Sequence, residues 1–340
     1  MRVLTRLSSV VASTALALTL ASAPAVAFTP TSPSGVDVSG HQRGHGPIRW
    51  QEVAAAGQQF AFVKTSEGED WVNEHYLEDV HAAHQAGLLV GTYHYARPAG
   101  DARVQAAHYA ATLANAPQHA LPPVLDIEVD EGLTPEQLQD WVRDFLAETE
   151  RLTGRVPMIY TYRYFWREHL NDTDEFSHYP LWLAAYQNHV PEPVGGWDAL
   201  SFWQRSDAGR VPGIDTNVDL NLFNGTGSQL GDFVAGRPVD LDGAAGQVVV
   251  PDNTILDTLG GDNTALAALI LAAQTGVVPP EALEAAAAQL GIEQVLVDEI
   301  TTRVRDLIAT GDLPVGDLQV MVDNPDYTIG DLLILLTNAG

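Results

Sequence analysis

Pro123-Val124-Leu125-Asp126-Ile127-Glu128 is the stretch on which the reading of this chain turns. An apolar start reads as a strand, and the loop-like Val129 to Thr134 follows it. Strand side chains alternate faces, so Asp126 and Glu128 point one way and Ile127 the other. The spacing alone leaves two readings: a pair of reactive acids, or two solvated ones at a strand end.

On either side of this stretch, strand and helix signals alternate. Strands are expected at Gly35–Ser39, Phe60–Lys64 and Leu88–Tyr95, with helices at Trp50–Ala56, Tyr76–Ala86 and Ala102–Leu113. After Glu128, Thr134, Pro135 and Gln137 form the N-cap, N1 and N3 positions of a capping box. Leu138, Trp141, Val142, Phe145 and Leu146 continue at helical spacing until Gly154. A fifth strand, Val156–Thr161, leads into a short helix through Phe165 and Leu170. Leu181–Tyr186, Leu200–Gln204 and Asn217–Leu220 then read as three strands without helices between them. Five βα units followed by three strands predict an α/β fold, an irregular TIM-like barrel. A doubly wound open sheet is the alternative. No glycine-rich phosphate loop follows any of the strands.

At the other strand ends stand Asp37, Glu67 and Asp219. Like charges brought to one mouth cost stability unless they serve a purpose. Tyr93, Tyr95, Tyr160, Tyr186 and Trp203 lie close by, and aromatic faces beside carboxylates suit sugar rings. Trp182 is a second late-strand candidate for the groove. Trp50, Trp141 and Trp166, on helices, are expected in the core. Lys64 is expected to pair with the acids, and His94 to pack on the outer face of its strand.

Composition sets the wider limits. Arg2 and Arg6, an apolar run and Ala25-Val26-Ala27 read as a signal peptide over residues 1–27, so a secreted product is expected, either free or associated with the cell wall. With 17 Lys and Arg against 44 Asp and Glu, the net charge is −27, and Lys64 is the sole lysine. Such a surface speaks against nucleic acid and anionic membranes as partners. Cysteine is absent, which excludes disulfides and thiolate metal sites. His41 with His45, and His81 with His84, have metal-like spacing but no third ligand, so neither metal nor cofactor is expected. Composition changes near Asp232, beyond which Phe233 and Tyr327 are the only aromatics. The expected order is a linker over 28–34, a barrel over 35–229, a linker over 230–255 and a helical segment over 256–340. Ile292, Val295, Leu296, Ile300, Val304, Leu307 and Ile308 form an apolar stripe in that segment, and Thr264–Ala273 is apolar all round. The segment reads either as a helical appendage packed on itself or on the barrel, or as a docking module for a wall component or a protein.

Six ordered motifs carry a resemblance. They are Asp37-Val38-Ser39-Gly40-His41-Gln42, Phe62-Val63-Lys64-Thr65-Ser66-Glu67-Gly68, Gly91-Thr92-Tyr93-His94-Tyr95 and Leu125-Asp126-Ile127-Glu128, then Trp203-Gln204, then Pro212-Gly213-Ile214 with Val218-Asp219-Leu220-Asn221. Over about residues 35 to 225 the chain resembles family 25 of the glycoside hydrolases, the N-acetylmuramidase type of lysozyme. Ser66 stands where Thr is more usual. The resemblance implies a five-βα-plus-three-β barrel that cleaves the β-1,4 bond from N-acetylmuramic acid to N-acetylglucosamine in peptidoglycan. It implies Glu128 as general acid, with Asp126 polarising the substrate's N-acetyl group or acting on the anomeric carbon. Asp37 and Asp219 would shape the field. Glu67, Tyr93, Tyr95, Tyr160, Tyr186, Trp203 and Gln204 would contact substrate. Competing readings are a non-catalytic glycan-binding barrel and a chitinase-like hydrolase. The latter is disfavoured because the strand before Asp126 lacks the earlier acids of chitinases.

Overall fold

The computed structural model describes residues 32–116, 119–187, 189–237, 239, 263–275, 283, 294–324 and 326–339. The expected signal peptide, residues 28–31 of the first expected linker and residues 240–255 of the second lie outside the described residues.

The described residues form nine strands: β1 (Ser34–Val38), β2 (Phe60–Glu67), β3 (Trp71–Val72), β4 (Leu89–Tyr95), β5 (Pro123–Asp126), β6 (Met158–Tyr162), β7 (Leu181–Ala184), β8 (Phe202–Gly209) and β9 (Val218–Phe223). Between them run α1 (Trp50–Ala55), α2 (Tyr76–Gln85), α3 (Ala102–Leu113), α4 (Pro135–Thr153) and α5 (Arg163–His169), each after one of the first five barrel strands. Strand β1 pairs with β2 in parallel and with β9 antiparallel, so the sheet closes on itself. An open doubly wound sheet would leave two edges, and that alternative is thereby set aside. Eight strands form the barrel, and β3 is a short hairpin arm on β2, unforeseen in the sequence. The five-plus-three order is as expected.

Capping chemistry places the helix after the acidic strand. The Thr134 hydroxyl accepts from the Gln137 N–H at 3.4 Å, and Gln137 Oε1 accepts from the Thr134 N–H at 3.0 Å. Gly154 closes the helix at φ 67°, a left-handed position that favours glycine. Trp50, Trp141 and Trp166 are buried, as expected of core residues. His94 is also buried on the outer face of β4, bonded to Ser66 at 2.9 Å and Gln105 at 3.1 Å. Burial pulls its pKa down to about 3, so it serves as a neutral packing residue.

The barrel interior is filled by rings in layers. Phe62 stacks on Trp182 with centroids 4.4 Å apart, while Phe60 and Phe202 meet it edge-on. Gly91 makes this possible, because a Cβ there would fall 2.3 Å from the Phe62 ring.

Beyond β9 the described residues form helices: α6 (Gly227–Val234), α7 (Asn263–Gln274), α8 (Gln294–Thr310), α9 (Val315–Asp323) and α10 (Ile329–Asn338). Residues 230–234, expected to open a linker, are helical because Thr226 and Gln229 form another capping box that starts α6. Of the expected stripe, Ile300, Val304 and Leu307 are buried in α8, together with Val297. Ile292 and the side chains of Val295 and Leu296 lie outside the described residues. Leu266, Ala267, Ile270 and Ala273 are buried in α7, whereas Ala268 is exposed, so that helix is covered on one side only. Residues Ile329 to Leu336 of α10 are all buried, as expected for a helix enclosed on every side. The apolar cluster of these helices is continuous with that of the barrel. The helical segment is therefore packed on the barrel.

Candidate active site

The site is assembled at the carboxyl ends of the strands. Asp37 of β1 lies directly across from Asp219 of β9 in register, and their side chains hydrogen-bond. Two amides organise them. Asn221 Nδ2 donates to Asp37 Oδ2 at 2.6 Å, and Gln204 Nε2 donates to Asp37 Oδ2 at 3.1 Å and Asp219 Oδ2 at 3.3 Å. Gln204 Oε1 accepts from the Tyr160 hydroxyl at 2.8 Å and the Tyr186 hydroxyl at 3.2 Å. Trp182 forms the floor and donates to Asn221 Oδ1 at 2.8 Å. Asp126 and Glu128 stand opposite, in mutual hydrogen-bonding contact, while Ile127 turns into the apolar layer.

Glu67 joins the mouth through an irregularity in β2. The register shifts between Lys64 and Ser66, so Ser66 turns outward to His94 and Glu67 comes to Lys64. Glu67 is held by Lys64 Nζ at 2.6 Å and Arg97 at 2.6 Å. Lys64 also lies 4.6 Å over the Tyr95 ring. This is the ion-pair role expected of the lysine.

Of the sequence candidates, Asp37, Asp126, Glu128, Asp219, Glu67, Tyr93, Tyr95, Tyr160, Tyr186 and Gln204 gather here. Trp203 does not. It is fully buried and donates to the Ala185 carbonyl at 2.8 Å. Alternation explains this: Phe202 and Gln204 face the barrel interior, so Trp203 faces out. Trp182 does face inward. Three residues at the site were not anticipated: Asn221, Tyr162 and Asn338. Asn221 was legible, since it stands two residues from Asp219 on the same face. Asn338 was not, lying 210 residues from the Glu128 Oε2 to which it donates at 2.5 Å. Among the described residues no group of three His, Asp or Glu side chains could hold a metal, and no helix is long and apolar enough to cross a membrane.

Burial dominates the electrostatics. It lifts Glu128 to about 7, with the charge of Asp37 adding to the effect. The hydrogen bonds from Asp126 and Asn338 and the charge of Lys64 oppose it. Asp126 and Asp219 are pushed well above the carboxylate range by burial and then by their acidic neighbours, and burial also raises Asp37. A carboxyl with a raised folded pKa binds more protons folded than unfolded, so stability falls as pH rises from about 4 through 7. Glu148, Glu175 and Asp215, held low by arginines, contribute in the opposite sense and lose that contribution in acid. Thermal unfolding followed by circular dichroism should therefore give its highest Tm near pH ~5 and a decline toward pH ~8.

A barrel with paired acids at the end of its fourth barrel strand is the geometry on which known proteins bear. The family model for Glycosyl hydrolases family 25 matches residues 36–214. An uncharacterised Escherichia coli K12 protein, YegX, is 39% identical over 207 residues, covering 59% of this chain and 73% of its own. Lysozyme M1 of Streptomyces globisporus is 33% identical over 206 residues, covering 58% and 69%. The chain belongs to glycosyl hydrolase family 25. The solved structure of the bacterial lysozyme from Streptomyces coelicolor superposes with TM-score 0.57 and 31% identity, over 62% of this chain and 100% of that one. A muramidase from Trichobolus zukalii gives 0.55 and 30%, over 60% and 100%. This family 25 protein is thus a glycoside hydrolase of the lysozyme class. Helices α7 to α10 lie beyond the residues matched by the family model.

Proposed function

We propose that this chain hydrolyses the β-1,4 bond from N-acetylmuramic acid to N-acetylglucosamine in peptidoglycan, outside the cell that makes it, with Glu128 as general acid. The observation that carries this reading is the buried contact between Asp126 and Glu128, with the Glu128 carboxyl raised to about 7. A carboxyl that keeps its proton near neutrality can give it to the leaving glycosidic oxygen. Asp126, next to it, would stabilise charge at the anomeric carbon or orient the acetamido group that attacks it. Carboxyls in hydrogen-bonding contact are closer than the ~6.5–9.5 Å an inverting pair needs to admit water, which favours net retention. Asp37 and Asp219, held by Asn221 and Gln204, shape the field and keep the Asp126–Glu128 pair protonated. Tyr93, Tyr95, Tyr160 and Tyr186 line the wall where sugar rings would stack. The signal-peptide pattern read in the sequence from Arg2 to Ala27 supports export.

Incubation with peptidoglycan and, separately, with chitin would test the reading, with the new reducing ends identified by mass spectrometry. Muramic acid at the new end is expected; glucosamine ends, or cleavage of chitin alone, would refute it. NMR of the first product should show the β anomer. The rate should fall as pH rises through about 7, because the acid form of Glu128 is lost there. A rate that climbs through that range would assign the acid to another group.

A further inference from the structure

We propose that the C-terminal helices are an intramolecular inhibitor: α10 closes the barrel mouth, and the Asn338 carboxamide occupies the position on Glu128 that the substrate must take. The inference rests on Glu128 being the general acid.

Four observations point to it. Asp37, Asp126 and Glu128 are each under 10% exposed, although their substrate would be a polymer. Second, Asn338 donates its amide to Glu128 Oε2 at 2.5 Å. The contact blocks the oxygen that must reach the glycosidic bond, and an acid accepting that hydrogen bond is held toward its carboxylate form. An acetamido group on a sugar offers the same chemistry as this carboxamide, so the helix end imitates a piece of substrate. What remains open beside Glu128 is a cavity of about 280 Å³, bounded by Asp130, Tyr162 and His169 on one side and Asp317, Leu335 and Asn338 on the other.

Third, the short helix α5 holds the helices down by polar contacts along its length. Arg163 pairs with the buried Asp331 and donates to the Asp326 carbonyl at 2.7 Å. Tyr164 donates to Asp317 Oδ1 at 2.9 Å, and Tyr327 donates to Glu168. His169 bridges Asp130 of the barrel at 2.6 Å and Asp317 of α9 at 3.1 Å. These polar contacts fix the register of an interface whose centre is apolar, because α9 and α10 share the hydrophobic cluster of the barrel. Fourth, the Streptomyces coelicolor lysozyme is covered over its whole length by 62% of this chain, so the inhibitor is an addition to the barrel.

Gly330 marks the docking point. A Cβ there would fall 2.2 Å from the Tyr186 carbonyl oxygen, a backbone atom that cannot swing aside. Gly330→Ala should therefore push α10 off the mouth while leaving every barrel residue unchanged, and Asn338→Ala should free Glu128 alone. The test uses the full chain and both variants. Two readings are taken: release of reducing ends from peptidoglycan, and binding of a fluorescent N-acetylglucosamine oligomer. Each substitution should raise the initial rate roughly tenfold and tighten oligomer binding by a similar factor, as expected when a closed state loses its advantage. Unfolding of the helices alone would give the same gain, since it also opens the mouth. Rates and affinities equal to or below those of the natural chain in both variants would overturn the proposal. Tighter binding without any gain in rate would show that α10 covers the mouth without holding back catalysis, and would overturn the inhibitor. A gain in rate that survives Glu128→Gln in the Gly330→Ala background would uphold closure of the mouth and remove Glu128 from its catalytic role.

Discussion

Glu128→Gln should leave the fold intact and lower the rate of peptidoglycan cleavage by about 10²- to 10⁴-fold, the range by which general acids act. The substitution keeps the shape and removes the proton that the leaving oxygen needs. Its surroundings suit an amide. Glu128 Oε2 already accepts from Asn338, and the glutamine oxygen can take that bond. Removing a buried carboxyl whose pKa is raised also relieves charge repulsion with Asp37 and Asp126. The variant should therefore melt at or slightly above the natural temperature near pH 8, where the repulsion is strongest. Initial rates at several pH values, together with thermal melts, check both statements. Full activity would remove Glu128 from its role, and a large fall in Tm would show that the carboxylate is structural.

Gly91→Ala should cost about 3 kcal/mol and lower the Tm on the order of 5–10 °C, the scale of overpacking in a domain of this size. The added Cβ would lie 2.3 Å from the Phe62 ring and 3.0 Å from Leu121 Cβ. Phe62 has nowhere to go, since Trp182 stacks on it at 4.4 Å and Phe202 meets it at 5.3 Å. Any movement of Trp182 would pull on Asn221 and hence on Asp37, so the rate should fall as well. Denaturant melts and initial rates on the same preparation would read both effects. A Tm within ~1 °C of the natural chain would show that the barrel interior yields more than close packing allows.

Much of the catalytic half could be read directly. The capping box at Thr134, the period-two strands and the five helices each follow from local chemistry, so they were legible without tertiary contacts. The inward pointing of Asp126 and Glu128 is likewise a local property, because alternation is imposed by the backbone. The same rule, applied one residue along, places Trp203 outside; treating it as a groove residue overlooked the parity it shares with neither Phe202 nor Gln204. The arrival of Glu67 at the mouth needed the register shift in β2, which depends on how β2 pairs with β4 and has no signature of its own.

The C-terminal helices divide in the same way. Their apolar stripes announce that they must be buried, since the hydrophobic effect is non-directional and acts on any stripe. Where they are buried depends on complementary surfaces far apart in sequence: Gly330 against the Tyr186 backbone, Asp331 against Arg163, Asn338 against Glu128. The sequence by itself determined the barrel, its family and the acids at its mouth, because these rest on periodicity, caps and ordered local motifs. Only the tertiary structure decided that α10 reaches the mouth and sets Asn338 on Glu128. Contacts between residues 210 positions apart are set by the packing of whole surfaces, which no local pattern encodes.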